Sequence, residues 1–249
     1  MPSTNSCVVV LTLLTLVLIP SRVLSQQDDS VSWSVTPYIW GSDTTLDLTV
    51  QDSGINGGVE VPFNDLLDVL DTAFQIHVEG GKGNWSGFVD LIYLETFDTI
   101  DRPLLNIDTN SDQLFVDAAL VFWPEGLGSQ LSFFGGLRYV GMDDQFDFQL
   151  NSDPLVARSS GDDFFDLMLG ARYRFDLSER WNLLTRVDVS FGDTEGSWLV
   201  NALFGYSVGR TRQNRILFGY QHKQFELQDR GLNSDYTLSG PMAGFNFRF

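Results

Sequence analysis

Residues 241–249 read PMAGFNFRF, and this stretch decides the fold. Apolar residues occupy every second position from Pro241 to Phe249. The positions between them are Met242, Gly244, Asn246 and Arg248. A period of two predicts a β-strand with two unlike faces. Chain ends normally lie in water and fray, so three alternating Phe residues here indicate that one face of the strand meets lipid. The stretch therefore predicts the closing strand of a transmembrane β-barrel.

The same alternation recurs along the chain and predicts an all-β, antiparallel transmembrane barrel of about ten strands. Each segment is close to the roughly 9–11 residues that a tilted strand needs to cross a bilayer. The predicted strands are 31–40, 74–81, 85–95, 113–123, 131–140, 164–175, 181–191, 197–207, 215–227 and 236–249. Eight or twelve strands remain possible. Residues 44–50 and 55–61 alternate weakly, and a hairpin of these two in the wall would make twelve.

The gaps between the predicted strands alternate between short and long. The short gaps are 82–84, 124–130, 176–180 and 209–213, and the longest ones are 41–72, 96–112 and 143–162. Outer-membrane barrels have short periplasmic turns and long extracellular loops. An even strand count places both ends of the barrel in the periplasm, so residues 41–72 form a long first extracellular loop. Within it, residues 64–71 have the pattern of a short capped helix.

The first 25 residues predict export. An apolar run, residues 7–19, ends at Pro20 and is followed by small residues near Ser25, which is typical of a cleaved secretory signal peptide. The run is shorter than the roughly 20 residues of a transmembrane helix. We therefore expect a signal peptide at 1–25 and a barrel at 26–249, exported through the periplasm to the cell outer membrane.

The charge of the chain is strongly acidic, at −18 for 249 residues. This excess argues against a nucleic-acid partner, which requires basic patches. The long gaps carry most of the Asp residues. They either form a solvated acidic surface, or bind divalent cations or a partner outside the cell.

Three stretches carry a family resemblance: WSVTPYIW (33–40), VPFNDLLD (61–68) and the aromatic end. Together they resemble small outer-membrane barrels of Gram-negative bacteria, in the broad superfamily of OmpA- and OmpW-like barrels. The resemblance covers the whole chain after the signal peptide. It implies fold and location, since members are largely of undefined function. It also implies that the barrel-assembly machinery reads the last strand through Phe245, Phe247 and Phe249.

Charged residues at inward positions predict a lumen charge network. Its members are Glu79, Asp90, Asp117, Arg138, Asp166, Arg172, Arg174, Arg186 and Asp188. A barrel of about eight strands is filled by side chains, whereas 16–18 strands leave a channel. Paired charges would fill a structural barrel, whereas unpaired rings would line a narrow, porin-like path for small solutes. Both interpretations remain open, and the alternative function is surface interaction through the acidic loops.

No motif in the sequence joins a nucleophile, a base and an orienting group. The two histidines are His77 and His222, and His77 falls on the inward face near Glu79. We therefore expect no enzyme, with an outer-membrane hydrolase as the alternative, and no cofactor or metal. The expected surroundings are outer-membrane lipid and lipopolysaccharide, and the expected oligomeric state is a monomer.

Overall fold

The computed structural model describes residues 30–50, 55–102, 105–150, 153–229 and 232–249. The predicted signal peptide lies outside these residues. The strands are β1 (Ser32–Trp40), β2 (Asp43–Val50), β3 (Ile55–Val61), β4 (Leu70–Lys82), β5 (Trp85–Arg102), β6 (Leu105–Phe122), β7 (Leu131–Leu150), β8 (Asp153–Asp176), β9 (Trp181–Gly192), β10 (Gly196–Val208), β11 (Asn214–Asp229) and β12 (Leu232–Arg248). A short helix, α1 (Phe63–Val69), precedes β4. Among the described residues, no helix is long and apolar enough to cross a membrane.

Ten of these strands close into a barrel. From β4 to β12 each strand pairs with the next one in the sequence, and β1 pairs with both β4 and β12. All pairs are antiparallel. At the closing seam, Trp33 and Phe249 exchange two backbone hydrogen bonds of 2.8 and 3.0 Å. The predicted all-β, antiparallel barrel of ten strands is confirmed.

The β2–β3 hairpin lies outside the ring of ten strands. β2 continues the register of β1 along β12, since Trp40 faces Met242 and Asp43 faces Ser239. β3 pairs with β2. The weak alternation in the sequence therefore marks a real hairpin, but the hairpin extends the wall upward and does not raise the strand count of the barrel to twelve.

The wall contains one irregular junction, between β1 and β4. Their backbone pairing ends at Pro37, which has no N–H to donate to a ladder. Beyond it the Gln75 side chain replaces the neighbouring strand: its Oε1 accepts from the Trp40 N–H at 2.7 Å, and its Nε2 donates to the Trp40 carbonyl at 3.4 Å. The ring of Phe63, from α1, lies against Gly41 where a Cβ would be 2.8 Å away. The helix therefore packs over this junction.

The outward face of the barrel is a belt of exposed apolar side chains. Leu120, Leu137 and Leu169 are 67%, 55% and 56% exposed. Soluble proteins rarely expose apolar patches beyond a few hundred Å². Aromatic residues flank the belt, with Trp85 and Trp181 at one end of their strands. An apolar band between aromatic girdles is the lipid-facing surface of a transmembrane barrel.

The outer ends of the strands differ from the sequence-based prediction. Residues 96–102 and 105–112, predicted as loop, continue β5 and β6, and residues 143–150 and 153–162 continue β7 and β8. The stretch 41–72 likewise contains β2, β3 and α1. Outside the hydrocarbon both faces of a strand meet water, so an apolar face is no longer required while backbone pairing continues. Much of each long gap between the membrane-spanning segments therefore consists of paired strand.

Candidate functional site

The nine charged residues predicted for the lumen all lie at inward positions of their strands. Successive side chains in a strand point to opposite faces, and the outward neighbours of these residues are the exposed apolar side chains of the belt. They come from β4, β5, β6, β7, β8 and β9. Their direct contacts form three groups, and two further residues bond to other partners.

The central group is a buried network of two arginines and two carboxylates. Arg138, 2% exposed, donates to both carboxylate oxygens of Asp117 at 2.8 and 2.9 Å. It also donates to Asp188 at 2.7 Å and to the Ser197 hydroxyl at 2.8 Å. Arg186 donates to the same two carboxylates at 2.9 and 2.6 Å. Two positive and two negative charges therefore balance at the centre of the lumen.

The second group crosses the lumen closer to the end with the short turns, which is the predicted periplasmic end. Arg172 of β8 donates to Glu79 of β4 at 2.7 Å, and these strands are four places apart in the ring. The Ser86 hydroxyl donates to the other Glu79 oxygen at 2.6 Å. The guanidinium of Arg172 also lies 4.3 Å from the ring centre of Phe88. An ion pair and a cation–π contact thus hold opposite walls together.

The third group centres on Asp90. The Tyr38 hydroxyl donates to one Asp90 oxygen at 2.7 Å, and Nδ1 of His77 lies 2.9 Å from the other. Nε2 of His77 is 3.6 Å from Glu79. Carboxylates therefore face both ring nitrogens of His77, and the nearby Ser86 hydroxyl bonds to Glu79. This geometry contains no contact between a nucleophile and a base.

The last two predicted residues, Asp166 near the middle of β8 and Arg174 near its end, bond to other partners. Asp166 accepts from the hydroxyls of Ser190 and Thr194 at 2.7 and 2.6 Å, which ties it to the β9–β10 connection. Arg174 donates to Asp176 at 2.9 Å and to the Gly128 carbonyl at 2.7 Å, at the end of the barrel with the short turns. Arg174 therefore stabilises a turn region, whereas Asp166 is also linked to Arg138 through the hydroxyls of Ser190 and Ser197.

Above the charges, a hydrophobic cluster fills the outer half of the lumen. Its buried members are Tyr38, Trp40, Ile92, Phe115, Val140, Phe225 and Leu238. Phe115 of β6 and Phe225 of β11 belong to strands five places apart in the ring of ten, which is diametrically opposite. Their ring centres are only 6.4 Å apart. The aromatic contact therefore spans the lumen from wall to wall.

Below this cluster lies a cavity of about 210 Å³. Six cationic residues line it (Arg172, Arg174, Arg186, Arg215, Lys223 and Arg248), against three carboxylates (Glu79, Asp90 and Asp117). A second cavity of about 200 Å³ lies at the end with the short turns, lined by Ser32, Leu127 and Arg248 among others. The first cavity is therefore lined mainly by positive charge, although the protein has a net charge of −18.

Lys223 is the functional candidate that the sequence interpretation missed. Its side chain is buried in the lumen at 4% exposure, with its ammonium 4.7 Å from the ring centre of Phe115. The alternation of Ile216, Phe218 and Tyr220 on the outward face was the available signal, because it places Lys223 inward. The polar residues around His222 made that stretch irregular and hid the pattern.

The remaining site predictions concern metals and the last strand. Among the described residues, no cluster of three or more His, Cys, Asp or Glu side chains is arranged to hold a metal ion. Phe247 and Phe249 are exposed on the outer surface, and the rings of Phe245 and Phe247 lie 4.5 Å apart. The role of these three residues in assembly stays a prediction.

Comparisons with known proteins place the chain beside bacterial surface barrels. No protein-family model matches it, and no curated protein matches its sequence. Among solved structures, the outer membrane protease OmpT from Escherichia coli is 11% identical, covering 92% of this chain and 100% of its own, with a TM-score of 0.47.

Two further structures give similar values. The beta domain of the Bordetella autotransporter BrkA is 13% identical, covering 89% and 100%, with a TM-score of 0.41. Ail, the attachment invasion locus protein of Yersinia pestis, is 9% identical, covering 88% and 99%, with a TM-score of 0.37. Likeness at this level carries no argument about activity. The closed ring of strands and the apolar belt give the architecture of a transmembrane barrel of the outer-membrane type.

Proposed function

We propose that this outer-membrane barrel is closed to ions and solutes and serves as a structural barrel rather than a pore. The observation that carries this proposal is the contact between Phe115 and Phe225 from diametrically opposite strands. Five other buried, mostly apolar side chains surround the two rings. An ion crossing this layer would lose its hydration without gaining polar partners, which is how hydrophobic constrictions block conduction.

The charges below the cluster also support closure. Selectivity rings need side chains that are free to meet a passing ion. Arg138 and Arg186 instead share Asp117 and Asp188 at 2.6–2.9 Å, and Arg172 pairs with Glu79 across the lumen. All of these contacts except Arg186–Asp188 join different strands. At the centre of the lumen they favour the interpretation of paired charges.

Conductance in planar bilayers tests the proposal. The wild-type barrel is expected to give no steady open-channel steps. The double variant Phe115→Ala/Phe225→Ala removes the contact across the lumen and is expected to raise ion passage. The matched control is Phe204→Ala/Phe218→Ala, an aromatic pair with ring centres 5.8 Å apart on the lipid face. The control should stay as silent as wild type. Steady conductance by the wild-type barrel would overturn the proposal.

The long outer hairpins favour a second candidate function, surface interaction. β7 and β8 contain 20 and 24 residues, about twice the roughly 9–11 needed to cross the bilayer. The excess carries acidic residues such as Asp143 and Asp163, both exposed. Removing residues 144–161 tests this candidate, because partner or cation binding should be lost while the heat-modifiable barrel remains. Terbium luminescence that is unchanged by the deletion would exclude this hairpin as a cation site.

We also propose that the barrel is not an enzyme. The support is local: His77 faces carboxylates at both nitrogens, and the Ser86 hydroxyl is bonded to Glu79. Hydrolysis through a covalent intermediate requires a nucleophilic side chain within hydrogen-bond reach of its base. Hydrolysis of peptide or ester substrates that disappears in His77→Gln would overturn this.

A further inference from the structure

The ammonium of Lys223 is a buried cation without a directly bonded carboxylate among the described residues. Within the described chain it forms no hydrogen bond and no ion pair, although its side chain is only 4% exposed. Its close contacts are the rings of Phe115 and Phe225, at 4.7 and 6.0 Å. An isolated buried ammonium is costly unless a partner compensates it. A cation–π contact supplies only part of that compensation.

Positive charges outnumber negative charges around the cavity that Lys223 lines. Among the charged groups that act on it are Arg138, Arg186, Asp117 and Asp188. The two carboxylates already accept hydrogen bonds from both arginines of the central network. Lys223 therefore has no carboxylate of its own within the network. The cavity that it lines holds six cationic residues against three carboxylates, so an anion entering it would meet a surplus of positive charge.

The cavity beside Lys223 has room for such an anion. Lys223 lines it, together with the apolar side chains of Ile92, Leu199, Leu203 and others. Its volume of about 210 Å³ exceeds the roughly 150 Å³ of a protein cavity that binds benzene. Apolar walls beside a buried ammonium suit a compact molecule with one negative charge. We propose that the lumen binds a small organic carboxylate whose charge lies against Lys223.

The route into the cavity is from the periplasmic end. The hydrophobic cluster closes the other end, whereas Arg174, Arg215 and Arg248 line the cavity where their strands begin or end. Arg215 and Arg248 have no carboxylate partner among the described residues, and Nε of Arg215 is buried without a hydrogen bond. A cleft lined by one sign of charge concentrates ions of the opposite sign. The arginines would therefore draw anions toward Lys223.

Calorimetric titration of the refolded full chain in detergent micelles tests the proposal, with benzoate as the probe. Benzamide, neutral and of nearly the same shape, is the ligand control, and titrations into empty micelles correct for partitioning. Wild type is expected to bind benzoate about tenfold or more tightly than benzamide, since bonds between charged groups are the stronger ones. Inorganic phosphate should bind more weakly than benzoate, because it leaves the apolar walls unfilled.

The sequence offers a matched variant pair, since Lys82 and Lys223 are its only lysines. Lys223→Met should weaken benzoate binding about tenfold or more, and Lys82→Met, at an exposed position, should change it less than twofold. Equal binding of benzoate and benzamide by wild type, or unchanged benzoate binding by folded Lys223→Met, would overturn the proposal. If Lys223→Met does not fold, the proposal is tested by two other measurements. These are the binding of benzoate and benzamide by the wild-type barrel and the binding of benzoate by Lys223→Gln. If the wild-type barrel conducts ions and still binds benzoate through Lys223, the proposal of a closed barrel is wrong but the proposal of a carboxylate site stands.

Discussion

Replacing Arg138 with methionine removes the guanidinium at the centre of the lumen and keeps an apolar side chain of similar reach. The guanidinium donates to Asp117, Asp188 and Ser197 at 2.7–2.9 Å, and all but 2% of the residue is buried. Removing one partner of a buried ion pair costs about 3–5 kcal/mol, because the other charge stays buried. Arg186 still donates to both carboxylates, so we expect a loss near the lower limit, about 3 kcal/mol.

The measurement is reversible urea unfolding in lipid vesicles, followed by tryptophan fluorescence and heat-modifiable migration. The matched control is Arg212→Met, which removes a surface ion pair with Glu179 of 3.0 Å, with side chains 44% and 82% exposed. Exposed pairs contribute at most about 1 kcal/mol. The control variant should therefore unfold at nearly the wild-type urea concentration.

A double-mutant cycle with Asp188→Asn separates the ion pair from packing. Residues in one charge network couple by about 0.5–3 kcal/mol, so the double variant should lose less stability than the sum of the single losses. If Arg138→Met is no more destabilising than Arg212→Met, the buried network does not stabilise the barrel and this reasoning is wrong.

Three further predictions address the wall. Gly136→Ala should lower the refolding yield strongly, because its Cβ would meet a backbone oxygen at 2.0 Å, whereas Gly87→Ala has 3.6 Å and should refold like wild type. Leu169→Arg, within the apolar belt, should destabilise the barrel in vesicles by about 2–4 kcal/mol, and Phe175→Arg, next to the strand end, by about 0–1 kcal/mol; equal effects would contradict the membrane depth assigned here. Gln75→Leu leaves two backbone groups of β1 without partners and should cost about 1–3 kcal/mol in the same urea assay.

The membrane-spanning part of the fold follows from the sequence because lipid imposes a pattern. Every outward position in the belt must be apolar, so alternation identifies the inner ends of strands such as β9 (Trp181–Gly192) within one or two residues. Beyond the hydrocarbon this constraint ends. The outer halves of β7 and β8 are rich in Asp, Gln, Ser and Gly and resemble loops, although their backbones remain paired.

The candidate site follows from the sequence only in part. Alternation places Arg138 and Asp117 inward, and both lie there. It does not tell which charges meet, because that depends on strand order and stagger: Arg138 faces Asp166 in the ladder, yet bonds to Asp188 one strand further on. The contact between Phe115 and Phe225 likewise depends on strand order and stagger. Local sequence cannot indicate that residues 110 positions apart meet across a closed ring.

The two backbone hydrogen bonds between Trp33 and Phe249 bring the first and last strands of the barrel together as neighbours, so the ring is continuous. A tether of a few residues can join these neighbours covalently, and a cut in the turn at 177–180 then supplies new ends. Such a circular permutant retains every rung of the ladder but carries Phe249 in mid-sequence. The order in which the strands leave the ribosome is thus separable from the order in which they stand in the membrane.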